Sequence, residues 1–169
     1  MSPHMLRPFS SRQLSLVEGG GRVVVFSVLG GRYAGPSVMV HVPTLVRRVL
    51  ELPRSITTVV FVDEPVPDPS TVWTIDHMIA AFEELDADAL VQYVSAMEAV
   101  KRANGDVLVE GIERSSLLAI RSPEVIDRQA LDEAVSRITG ELWVSPTALV
   151  AASGGKIALY GGSPALVRS

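Results

Sequence analysis

Apolar runs and amphipathic stretches alternate along this chain, and their spacing predicts an order of elements. The stretch from Arg22 to Leu29 is β-branched and apolar at successive positions. A strand of that kind is buried on both faces, as in a parallel sheet. Gly30-Gly31-Arg32-Tyr33-Ala34-Gly35-Pro36 then breaks the pattern and predicts a loop. Leu45, Val46, Val49 and Leu50 recur at helical spacing and predict a helix from about Thr44 to Leu52 with these four on its apolar side. Ile56 to Val62 predicts a second buried strand that ends in Asp63-Glu64. Pro65, Pro67 and Pro69 exclude regular structure until Ser70. From Ser70 to Leu85, Val72, Ile75, Ile79 and Phe82 mark one helix face, and Asp76, Glu83 and Glu84 mark the other. Ala87 to Val94 returns to strand character.

The second half begins with a hairpin. Ala99 to Ile112 reads as two strands around Asn104-Gly105, a dipeptide that favours tight turns with positive φ. Leu117 to Ile120 predicts a short strand. Ser122-Pro123 predicts a helix start, Ser as cap and Pro in the first turn, with Ile126, Leu131, Ala134 and Val135 on the buried side. Ser145-Pro146 repeats that signal before a short helix over Thr147 to Ala152. Lys156 to Tyr160 predicts the last strand. Strands alternating with helices imply an α/β fold: a three-layer, Rossmann-like, mostly parallel sheet with a projecting β-hairpin arm. The expected organisation is an irregular N-terminal arm over residues 1–21 and a single domain over 22–169, with the hairpin at about 99–112.

Composition narrows the chemistry. The 169 residues suit one domain with a real core. At 47% hydrophobic and 20% charged, the chain is not of the disordered class. A net charge of −4 offers no global attraction to nucleic acid or to an anionic membrane, and 5% aromatic residues leave little for base stacking. With no cysteine, disulfides, thiol catalysis and thiolate metal sites are excluded. His4, His41 and His77 lack metal-ligand spacing. No apolar run reaches membrane-spanning length, and a cytoplasmic protein is the expectation.

Several short strings, taken in order, carry a resemblance. Thr58 to Asp63 is a strand ending in an acid; Pro67-Asp68-Pro69-Ser70 and a long helix follow, then Asp86-Ala87-Asp88-Ala89. Next come Glu98-Ala99-Val100-Lys101, the segment Val109 to Leu118 with Glu113-Arg114 inside it, and Ser122-Pro123-Glu124. This order resembles the second half of the methylerythritol-phosphate cytidylyltransferase family, which carries "HDAARP", "GADA", "DTxK", "VDRxxLW" and "TPQxF" in that sequence. The likeness runs from Ile56 to Ser169; upstream, the strand at Val23 and the helix at Leu45 correspond.

The resemblance implies a nucleotidyltransferase fold and particular site positions. Asp63 falls on the family's strand-end Asp, beside nucleotide and metal. Lys101 falls on the Lys of "DTxK", Arg114 on the Arg of "VDR" that contacts the substrate phosphate, and Ser122 on the Thr of "TPQ". Gly30, Gly31 and Arg32 stand where the family has a glycine-rich nucleotide loop. Glycines there equally serve a plain strand-to-helix turn, and Lys101 and Arg102 equally serve as exposed charge beside a hairpin. The departures are also specific. Glu64-Pro65-Val66 replace the family's Arg, Ala99 replaces its Thr, and no Lys lies between Met1 and Val100. The family segment that holds the cytosine base is missing around Arg54-Ser55.

Two readings follow. One is a relative with impaired catalysis that acts by binding or regulation, with CTP or a sugar-phosphate as ligand. The other is an active nucleotidyltransferase, with Mg²⁺, that moves CMP or another nucleotide onto a sugar- or polyol-phosphate. The resemblance further implies a homodimer held through the hairpin arm.

Overall fold

The computed structural model describes residues 10–12, 22–27, 40–63, 68–95, 100–112, 118–138, 143–161 and 164–165. Its strands are β1 (Ser10–Arg12), β2 (Val23–Ser27), β3 (Val40–His41), β4 (Thr58–Val62), β5 (Ala89–Ser95), β6 (Val100–Asn104), β7 (Val107–Ile112), β8 (Leu118–Asp127), β9 (Trp143–Val144), β10 (Ile157–Tyr160) and β11 (Pro164–Ala165). Its helices are α1 (Val42–Glu51), α2 (Pro69–Glu83), α3 (Arg128–Ser136) and α4 (Pro146–Ala152).

Among the described residues the main sheet has seven strands in the order β1-β2-β4-β8-β5-β10-β11. β2, β4, β5 and β10 run parallel; β8 lies antiparallel between β4 and β5. Alternation along each strand divides the core in two. Val24, Phe26, Val59, Phe61, Ala89 and Ile126 face α1, α3 and α4. Val25, Val60, Val62, Leu90, Val125 and Ala158 face α2. The expected three-layer, mostly parallel α/β architecture is present. The Phe26 and Phe61 rings stack across β2 and β4 with centroids 5.4 Å apart.

The connections β2 to β4 and β4 to β5 both step the same way across the sheet. Yet α1 and α2 pack on opposite faces. The two crossovers therefore have opposite hands, and one of them is the uncommon left hand.

Several expectations need correction. Ser122-Pro123 does not open a helix. Both residues lie inside β8, joined by a cis peptide bond, and α3 starts six residues later with Asp127 as its cap. The physical reason is the sheet. β4 and β5 each present a backbone edge, and only a strand between them satisfies both. Ile126 accordingly sits on β8, while Leu131, Ala134 and Val135 are buried on α3 as predicted. The Ser145-Pro146 signal holds, with Ser145 capping α4.

Leu50 is 74% exposed, not on the apolar side of α1, because the buried stripe is Val42, Leu45 and Val49. α2 begins with Pro69 after an Asp68 cap, so that proline opens the helix instead of blocking it. The hairpin turn is Gly105-Asp106. Asn104 pairs with Val107, and Gly105 alone takes positive φ, the arrangement of a type II′ turn. Within the expected irregular arm, Ser10–Arg12 form a strand along β2. Backbone pairing to an open edge needs no apolar pattern, so the sequence Ser-Ser-Arg gave no sign of it. Likewise β3 and β9, two residues each, pair antiparallel and tie the starts of α1 and α4 together.

Candidate functional site

In a parallel α/β sheet, ligands collect at the edge where the parallel strands end. In this chain Asp63 stands there, directly after β4, and is half-buried. β8 enters the sheet at the same edge. Its ladder with β5 breaks between Val91, opposite Glu124, and Gln92, opposite Arg121. Ser122 and Pro123 are thus looped out as a bulge. Proline has no N–H to give a ladder, so a bulge is where a sheet interior tolerates it. At this point the Ser122 Oγ accepts the Asp63 backbone N–H at 2.9 Å. A side-chain hydroxyl continues the β4–β8 ladder past the last paired residues, Phe61 and Glu124.

Two of the sequence-predicted positions, Asp63 and Ser122, are therefore brought together. Gly30, Gly31, Arg32 and Arg114 lie outside the described residues. Lys101 is placed on β6 opposite Gly111, and its side chain is likewise outside the description. His77 lies on the outer face of α2. Its ring is tilted against Trp73 with centroids 3.8 Å apart, and its Nδ1 lies 2.8 Å from the Trp73 carbonyl oxygen.

The structure adds residues that the sequence reading passed over. Glu124 is wholly buried on β8. Its Oε1 accepts the Ser145 hydroxyl at 2.6 Å and the Thr147 N–H at 3.3 Å, which seats the first turn of α4 against the sheet. Thr147 Oγ1, beside it, is buried and has no hydrogen-bond partner among the described residues. The helix start expected at Ser122 gave Glu124 no buried role. The β-branched pair Val125-Ile126 was the available signal for a longer strand. Arg121 and Gln92 are cross-strand partners just beyond the bulge.

A cleft of about 320 Å³ opens at the opposite edge of the sheet, lined by Asp88, Asp127, Glu133, Val150 and Gly155 among others. Its acids serve the fold. Asp88 accepts the Lys156 backbone N–H at 2.7 Å, and Asp127 accepts the Ala130 N–H at 2.9 Å as the α3 cap. Among the described residues, no group of three or more His, Asp or Glu side chains forms a metal site. No helix among the described residues is long and apolar enough to cross a membrane.

No family model matches the sequence, and no curated protein matches it. Solved structures do match. The 4-diphosphocytidyl-2C-methyl-D-erythritol synthase of Anaerococcus prevotii superposes with a TM-score of 0.56 at 12% identity, covering 76% of this chain and 58% of that one. The 2-C-methyl-D-erythritol 4-phosphate cytidylyltransferase of Thermus thermophilus gives 0.53 at 17% identity, over 76% of this chain and 62% of that one. The Francisella tularensis cytidylyltransferase gives 0.53 at 11%, with the same coverage. The chain spans about three fifths of the length of these structures. At such identities the likeness is one of architecture: this chain has a divergent form of the methylerythritol-phosphate cytidylyltransferase fold.

Proposed function

We propose that the chain is a binding protein on a cytidylyltransferase-like fold, which holds a phosphorylated ligand at the edge bearing Asp63 and Ser122 and has lost efficient cytidylyl transfer. The observation that carries this reading is the Asp63–Ser122 junction at a bulge in the centre of the sheet. Bulges recur beside binding sites because they re-aim side chains.

Cytidylyl transfer is attack of a substrate phosphate oxygen on the α-phosphorus of CTP, with pyrophosphate leaving. Two anions must meet, so fixed cations supply most of the catalysis. This chain has no lysine before Lys101. Removal of one preorganised donor typically costs about a hundredfold to a thousandfold. Loss of the base-holding segment compounds that.

The second reading is an active nucleotidyltransferase with a rebuilt site. Asp63 favours it. A magnesium ion arriving on nucleotide phosphates takes one or two protein carboxylates, and Asp63 is suitably placed at the strand end. The ion would shield phosphate charge; Asp63 would hold it, with Ser122 fixing the Asp63 backbone. Thermal shift with CTP and Mg²⁺ tests binding, since a real ligand raises stability by RT ln(1 + [L]/Kd). Pyrophosphate release from CTP and methylerythritol phosphate separates the readings. We expect none, and turnover approaching that of a working enzyme would overturn the first reading.

A homodimer belongs to the same proposal. Val107, Leu108 and Val109 on β7 are all exposed, although a hairpin alone is marginally stable in water. Their apolar surface fits a second subunit.

A further inference from the structure

The geometry points to an oxyanion-reading pair, Arg121 with Gln92, beside the Asp63–Ser122 junction. It rests on the reading of this edge as the ligand face. Above the bulge Arg121 stands opposite Gln92, and Gln92 stands opposite Tyr160. Partners across a sheet share a face. Tyr160 belongs to the core under α2, as do Val125, Leu90 and Ala158 in the next row down. Arg121, Gln92 and Tyr160 therefore form one polar row on the α2 face, nearer the strand ends than the apolar row. Neighbouring strands lie about 4.8 Å apart, so the two side chains leave the sheet from adjacent positions on one face.

Arg121 is exposed, and among the described residues it has no hydrogen-bond or ion-pair partner. Arg48, Arg102 and Arg128 are each engaged with a carboxylate. Arg22, Arg47 and Arg54 are also unengaged among the described residues, but Arg22 and Arg54 precede β2 and β4, at the opposite end of the sheet. A guanidinium without a partner among the described residues, at the proposed ligand edge, is a planar fork of donors suited to phosphate or carboxylate oxygens. The Gln92 amide adds a donor to the anion and an acceptor for a neighbouring hydroxyl. The ligand class is an oxyanion on a hydroxylated carbon chain, and the resemblance itself assigns neither residue.

Glycerol 3-phosphate and glycerate present the phosphate and carboxylate forms of this chemistry, with glycerol as the neutral control. Calorimetric titration of the parent, Arg121→Ala, Arg121→Lys and Gln92→Ala is the test, at one low ionic strength because an exposed charge is screened by salt. The parent should bind one anionic probe and not glycerol. Arg121→Ala should weaken that binding by roughly tenfold to a hundredfold, the scale of a charge-assisted hydrogen bond. Arg121→Lys should restore part of it, since the charge returns without the fork. Gln92→Ala should weaken it less than Arg121→Ala, and all variants should keep the parent melting temperature. Equal affinity of parent and Arg121→Ala would overturn the pair. So would a parent that binds CTP with Mg²⁺ but neither glycerol probe, and that result leaves the proposed ligand edge standing. A parent that binds none of these ligands defeats both.

Discussion

The Ser122 hydroxyl occupies the place of a ladder carbonyl, and its removal tests how much the Asp63 backbone depends on it. Ser122→Ala leaves a partly buried N–H without its acceptor, which costs about 1–3 kcal/mol. Ser122→Thr keeps the oxygen and should retain most of that stability. Urea unfolding of the two variants reads the difference directly. A second residue-scale test concerns charge. Lys156 Nζ lies 2.7 Å from Asp86 Oδ2; the hydrogen bond and the opposite charge hold the Asp86 pKa below and the Lys156 pKa above its usual value. Asp86 then contributes stability above its unfolded-state pKa and loses it as pH falls through its lowered folded value. Lys156 contributes below its unfolded-state pKa and loses it as pH rises through its raised folded value. Both contributions are complete at neutral pH. Asp86→Asn should return Lys156 toward its ordinary pKa, which an NMR titration of the Lys156 side chain detects. Because both groups are well exposed, melting at neutral pH should hardly change.

At the scale of elements, ends matter more than interiors. Asp127 caps α3 through the Ala130 N–H, and Arg128 binds Asp132 while its other nitrogens donate to the carbonyls of Leu52 and Pro53 after α1. Asp127→Ala should cost about 1 kcal/mol in chemical denaturation, the usual worth of a lost cap. The hairpin is the other element with a clear test. β6 and β7 form their own two-stranded sheet, and the triplet Val107, Leu108 and Val109 is 59–66% exposed. If this arm packs on a second subunit, Leu108→Asp should convert a dimer to a monomer in light scattering, with far-UV circular dichroism unchanged. A parent that is already monomeric at micromolar concentration would refute the arm's role.

At the largest scale the described residues form a sheet with unequal covers, three helices on one face and α2 on the other. Phe61 on β4 is wholly buried under the three-helix face and stacked on Phe26. Phe61→Ala should cost about 3–5 kcal/mol, through lost transfer energy and a residual cavity. That is a large share of a small domain's stability, so a cooperative loss of the fold in mild urea is the expected outcome.

The elements were legible in the sequence where burial dictates pattern. β2, β4 and β5 are read from β-branched runs, α2 from its 3.6-residue period, and α4 from Ser145-Pro146, because each signal is local. The strand-end position of Asp63 was legible for the same reason. What the sequence could not determine was which backbone edge needs a partner. The same Ser-Pro signal caps a helix at residue 145 and lies within a strand at residue 122, because only at the second do two strands flank an open slot. Filling that slot buried Glu124, set Ser122 on the Asp63 N–H and put Arg121 opposite Gln92. The sequence alone determined a layered α/β domain with an acid at a strand end. The tertiary structure decided the contacts of that edge, since hydrogen-bond satisfaction between distant strands has no local signature.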